Sequence, residues 1–467
     1  EKPEALQIAH ASLKQAIALK DAVTAPERAL IDALSQRYPS DPDTDDFGPW
    51  NDQYAGAMRD AYRAHPDDLD ICCLFAEALM NRTPWALWDL PTGKPAKGAD
   101  TVEAIEVLET AFDDLDGAWS HPGLLHMYIH LMEMSPHPEK ALKAGDALNG
   151  LMPDSGHLLH MATHIDVLCG QYQNVVKRNS QAWEADQKFL AANGPHGFYT
   201  TYMCHNLHFL VYGAMFLGQI QPALDAASDM EYLLTPDVME PATDWLESFY
   251  PMRYHILIRF GRWEEILVLT PPDDAEIYAY THATDAYAKS VACSALGRIA
   301  DAEAHRTTFY ALRDKVPESR MLLNNTCLDV LAVAAEMLEG ELAYRKGEFE
   351  VAFTHLRKTV ELDDTMPYEE PWGWMQPSRH ALGALLLEQG RVEEAEAVYR
   401  ADLGLDGKLA RACQNPDNVW ALHGLVECLR VRGDTVELPG FEARLAKAMA
   451  LTDTPVTSSC LCRVSNC

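Results

Sequence analysis

Two His-x-x-x-His pairs, His126 with His130 and His160 with His164, are separated by 34 residues, position for position. Within each pair the spacing of four sets both imidazoles on one helix face, one turn apart. The 34-residue interval is the period of a two-helix unit that stacks on copies of itself. One such unit cannot bury its apolar face alone, so the chain is constrained to be an array of helix pairs. The stretch His121 to His208 holds ten of the eighteen histidines.

The remaining sequence agrees with an all-α array. Residues 1–40 read as two helices, with the Thr24 of TAPER as a cap and Pro26 just inside the second. Residues 41–50 read as an acidic, turn-rich link. NDQYAGAMRDAYRAHPDD, LDICCLFAEALMN and TVEAIEVLETAFDD read as helices, with a long Trp-containing loop before the third. No stretch shows the period-2 alternation of a strand. From 121 onward, units such as SRHALGALLLEQGRVEEAEAVYRADL recur. Gly383 marks close helix packing, Gly390 an inter-helix turn, Ala395 the crossing and Tyr399 the residue after it. Gly340, Gly347, Ala352 and Leu356 repeat the pattern; Gly297 with Ala302, Gly218 with Ala223, and Gly261 follow it more loosely.

These motifs resemble the tetratricopeptide-repeat (TPR) superfamily. The patterns HPGLLHMYIH and GHLLHMATHI are similar to those of an uncharacterised His-rich subgroup carrying HPGxxHxYIH and GHLxHMxxHI. The resemblance implies a right-handed α-solenoid of antiparallel helix pairs with a concave groove. Residues 1–100 would cap it, 101–450 would form the repeats with a His-rich core at 121–208, and 451–467 would be a flexible, Cys-containing tail.

Counted back from the turn glycines, His164 and His255 lie six residues before Gly170 and Gly261. His160, His208 and His380 lie ten before Gly170, Gly218 and Gly390, and His157 and His205 thirteen before Gly170 and Gly218. With the turn of the preceding repeat at Pro136, His130 and His126 take the six and ten positions. Offsets of six, ten and thirteen mark one stripe of a first helix, which the resemblance assigns to the groove. Adjacent helices pack about 10 Å apart, so imidazoles from neighbours can meet.

A metal site is therefore expected from His126, His130, His157, His160, His164, His205 and His208. Imidazole is the commonest metal ligand, and a His-dominated set suits copper first, with iron or zinc as alternatives. Glu133 and Glu77 are candidate carboxylate ligands; two His with a carboxylate would suit non-haem iron. Tyr128, Tyr202 and Asn206 are candidate orienting groups, and His255 and His380 additional ligands. Trp372 and Trp374 are a candidate substrate wall, with an aromatic staple as the plain alternative. Cys460, Cys462 and Cys467 are soft donors that suit Cu(I) or Zn. The plain alternative for the histidines is polar groove lining. Zincin chemistry is disfavoured, since Met127 and Met161 stand where its general-base Glu would be. No P-loop, GxGxxG or GxSxG is present.

Lys and Arg number 38 against 70 Asp and Glu, a net charge of −32, which disfavours nucleic acid and anionic membranes as partners. No apolar run approaches the roughly 18 residues of a membrane span. Eleven irregularly spaced cysteines point to a reducing, cytoplasmic compartment. The chain starts at Glu1, which allows for an upstream segment having been removed. The expected function is a metal-binding repeat protein, a copper- or else iron-dependent oxidative enzyme acting on a small molecule or peptide in the groove. The alternatives are a protein–protein interaction scaffold and a metal storage or delivery protein. A scaffold's usual carboxylate clamp needs Lys, Arg and Asn, where this stripe presents His.

Overall fold

The computed structural model describes residues 3–38 and 46–463. Cys467 and residues 41–45 of the acidic link lie outside the described residues, and 48–50 already belong to a helix. The chain divides into two compact units, 1–152 and 153–467.

The first unit contains the helices Ala25–Arg37, Gly48–Ala64, Leu69–Met80, Thr101–Asp114, Pro122–Glu133 and Leu142–Leu148. Their starts follow from local chemistry. Thr24 and Glu27 form a reciprocal capping box with Pro26 in the first turn. Asp68 accepts the Ile71 amide, and His121 accepts the Leu124 amide. Leu69–Met80 packs on Thr101–Asp114 and on Pro122–Glu133, the next helix but one. That contact between alternate helices is the mark of stacked pairs.

The second unit repeats the arrangement at greater length. Tyr199–Leu217 packs on Ile220–Leu233 and on Met252–Arg259, and the latter on Ala279–Ala295. Ala279–Ala295 then packs on Ile299–Arg313 and on Cys327–Arg345, and Ser378–Glu388 on Val392–Asp402 and on Val419–Arg432. The fold is all-α and TPR-like. Among the described residues, extended structure is confined to two short antiparallel ribbons, Trp88–Asp89 with Lys94–Pro95 and Met321–Leu322 with Asn325–Thr326.

Two features of this unit depart from expectation. Its last repeat returns to its early helices, where Trp420 Nε1 donates to the Met215 carbonyl at 2.7 Å, and one apolar core runs from Tyr172 to Cys462. Second, the tail is packed as far as it is described. Asp453 accepts the Ile220 and Gln221 amides at 2.8 and 2.9 Å, Tyr399 Oη and Ser459 Oγ are 2.5 Å apart, and Val456 and Cys462 are buried. Capping and backbone bonds hold it, so its polar composition does not leave it loose.

Candidate metal centre

In the first unit the His126 and His130 ring centroids are 4.8 Å apart, and His130 Nδ1 lies 2.9 Å from Glu133 Oε1. Glu133 is only 4% exposed, so it orients an imidazole instead of standing in solvent. Glu77 pairs with Arg37 at 3.5 Å and Asn81, and Tyr128 donates to Glu109 at 2.8 Å, so each has its own partner away from this pair.

In the second unit the His160 and His164 rings are again 4.8 Å apart. Their segment, Gly156–His160 continuing into Thr163–Leu168, tightens at the junction. There the His164 and Ile165 amides reach back three residues to Met161 and Ala162. His205, on Tyr199–Leu217, closes on both rings at 4.7 and 5.6 Å, and Phe209 lies against all three. One ring nitrogen from each of His160, His164 and His205 lies within 4.8 Å of the others, a group able to hold a metal ion.

The hydrogen bonds set the tautomers. Asn179 Nδ2 donates to the Val175 carbonyl, so its Oδ1 faces His160 Nδ1 at 2.7 Å as an acceptor. His160 Nδ1 therefore carries the proton. His164 Nδ1 lies 3.3 Å from Glu370 Oε2. With its proton on Nδ1, His160 is left with a lone pair on Nε2, which stands 2.8 Å from His164 Nε2. That lone pair can take either the His164 Nε2 proton or a cation. Burial, reinforced by His205, His164 and His157, pushes His160 well below its ordinary value, which disfavours the doubly protonated ring.

Several other expected residues make further contacts of their own. The His157 ring is 6.2 Å from His160 and meets Tyr202 edge-on at 4.8 Å. Asn206 donates to Asp186 at 2.7 Å and orients no imidazole. His208 contacts Met375, and His255 contacts Trp374. His380 bonds Asp402 and Arg259 at 3.0 Å each in a buried polar cluster, where burial lowers its pKa against the pull of Asp402. Trp374 is buried against His255 and Tyr287, and Trp372 donates to Asp363. Cys460 and Cys462 are joined in a disulfide and offer no thiolate. Asn179 and Glu370 were not anticipated. Asn179 is on the next helix, and Glu370 lies 206 residues beyond His164 in a Pro-rich loop with no periodic signal.

No protein-family model matches the chain, and no curated protein matches it in sequence. Among solved structures it is similar to the APC/C hetero-tetramer Cut9–Hcn1, with 13% identity over 99% of this chain and 96% of that one, TM-score 0.27. It is also similar to the P58(IPK) TPR domain, with 13% identity over 92% and 98%, TM-score 0.18. At these TM-scores neither likeness bears on the fold, which rests on the helix pairing described above. No helix among the described residues is long and apolar enough to cross a membrane.

Proposed function

We propose that this is a metal-binding TPR-like protein in which His160, His164 and His205 hold one transition-metal ion. The observation that carries the reading is the meeting of one ring nitrogen from each of the three within 4.8 Å, with His160 Nδ1 turned to the Asn179 oxygen. Imidazoles whose far nitrogen is bound to an amide or carboxylate oxygen are held in tautomer and direction for a metal. A three-histidine set suits copper, zinc or iron and leaves a position open. Oxidative catalysis, with copper first and iron second, is the finer form of the proposal. His205 is the one of the three that is not fully buried, so approach to the ion would be from its side. Storage or delivery of the same ion needs only the ligands.

The second reading, a scaffold for a protein partner, is supported by the fold itself, since stacked helix pairs commonly present binding surfaces. Elemental analysis separates the two. Untagged protein is expected to carry near-stoichiometric copper, iron or zinc, and His160→Ala and His205→Ala to lose it, with His355→Ala as a control that retains it. Metal-free protein that takes up none of these ions on reconstitution would leave the scaffold reading standing.

A further inference from the structure

Three residues after His205 on the same helix, His208 belongs to a different group. Its Nε2 lies 2.8 Å from Met375 Sδ, and its ring contact is Phe249, not the three-histidine cluster. Met375 is one of three consecutive residues that tie two helices together. Trp374 stands edge-on to the His255 ring with centroids 5.5 Å apart, and Gln376 Nε2 donates to the His255 carbonyl at 2.7 Å. Met375 is thereby aimed at His208 from a segment clamped to His255. All three side chains are buried, His208 at 0%, His255 at 2% and Met375 at 1% exposure.

His208 Nδ1 and His255 Nδ1 have no hydrogen-bond partner among the described residues. Whichever nitrogen of His208 holds the proton, its partners are one thioether and nothing else. Buried imidazoles in an ordinary core find an oxygen, and exceptions call for an explanation such as an ion. Here the Nδ1 atoms of two such rings sit beside the same thioether-bearing loop. Among the described residues, none of the hydrogen bonds made by these three side chains is to a carboxylate.

We propose that His208, His255 and Met375 form a second metal site, a soft one that takes monovalent copper. A thioether with neutral imidazoles selects Cu(I) over hard ions, which require oxygen ligands. A single positive charge is also the least costly to bury where no carboxylate compensates it. The site shares no ligand with the three-histidine centre, and it stands or falls separately.

The test is anaerobic competition for Cu(I) against bicinchoninate, using full-length His160→Ala protein so that the first centre is removed. This protein is expected to withdraw copper, and adding Met375→Leu, which keeps the side-chain volume, is expected to weaken binding at least tenfold. X-ray absorption of the bound copper is expected to show nitrogen with a sulfur scatterer, the sulfur being lost in the Met375→Leu protein. His208→Gln serves as a second variant should Met375→Leu change the melting temperature. No copper withdrawn by His160→Ala protein, equal affinity with and without Met375, or a sulfur signal that survives Met375→Leu would each overturn the proposal.

Discussion

At the scale of single residues, the proposed centre depends on which imidazole nitrogen is bare, and Asn179 decides that for His160. Its amide is fixed by the Val175 carbonyl, so it can present only oxygen to the ring. Asn179→Leu keeps the bulk and removes the acceptor. The expected result is a ten- to hundredfold weaker metal affinity by chelator competition, with the helical content by circular dichroism unchanged. An unaltered affinity would mean the tautomer is set by something other than this bond. Glu341 makes a different residue-scale prediction. Burial, opposed by Arg345, pushes its carboxyl up to about 7 from an ordinary 4.5. The folded chain thus holds a proton there that the unfolded chain releases above 4.5. The resulting stability is present in full below pH 4.5 and is lost as pH rises through 7. Glu341→Gln imitates the protonated form. It is expected to melt with the wild type near pH 4.5 and above it at pH 8, by at most about 3 kcal/mol.

At the scale of elements, two kinds of glycine do different work, and both were legible in the sequence. Gly390 ends a helix at φ +71° with open space around its Cα. Gly383 is helical, and a Cβ there would meet the Tyr399 ring at 2.5 Å; Gly424 faces the same ring from the next repeat, at 2.2 Å. Gly390→Ala is therefore expected to cost about 1 kcal/mol through backbone strain alone. Gly383→Ala should cost about 1–3 kcal/mol through overpacking, and Tyr399→Leu in the same chain should recover part of that cost while Gly390→Ala gains nothing from it. Thermal melts of the four variants separate the cases. The turn glycines Gly170, Gly218, Gly261, Gly297, Gly347 and Gly390 all adopt positive φ, which is why counting back from them placed the histidines on first helices. The counting could not say which histidines meet. Offset ten puts His160, His208 and His380 in equivalent slots, yet their rings contact His164, Met375 and Asp402 respectively. Met375 and Glu370 come from one irregular loop far along the chain, and no periodicity encodes where such a loop docks.

At the scale of the molecule, the tail shows how a short polar segment can hold a repeat unit together. Repeats that touch only their neighbours separate readily at the ends. Residues 451–463 bridge early and late repeats of the second unit. Asp453 caps the helix Ile220–Leu233, and a Cβ on Gly218 would lie 3.0 Å from Thr452. A Cβ on Gly261, the next turn, would lie 2.9 Å from Leu461 Cβ. Ser459 donates to the His380 carbonyl at 2.9 Å, Arg345 donates to the Cys462 carbonyl, and Arg463 pairs with Glu427 at 2.7 Å. The segment thus runs over the turns of two early repeats and then fastens to three late ones. Asp453→Ala removes a cap that serves two amides and is expected to cost about 1 kcal/mol. Ending the chain at Ala450 removes the cap together with buried Val456 and Cys462, each worth about 2 kcal/mol of burial. It also leaves the Tyr399 hydroxyl without Ser459. Truncation is therefore expected to lower stability by roughly 5 kcal/mol, several times the effect of Asp453→Ala, and to expose the Ile220 end of its helix to faster amide exchange. A truncated chain that melts and exchanges like the intact one would show that the late repeats hold the early ones without the tail, through contacts such as Trp420 on Met215 alone.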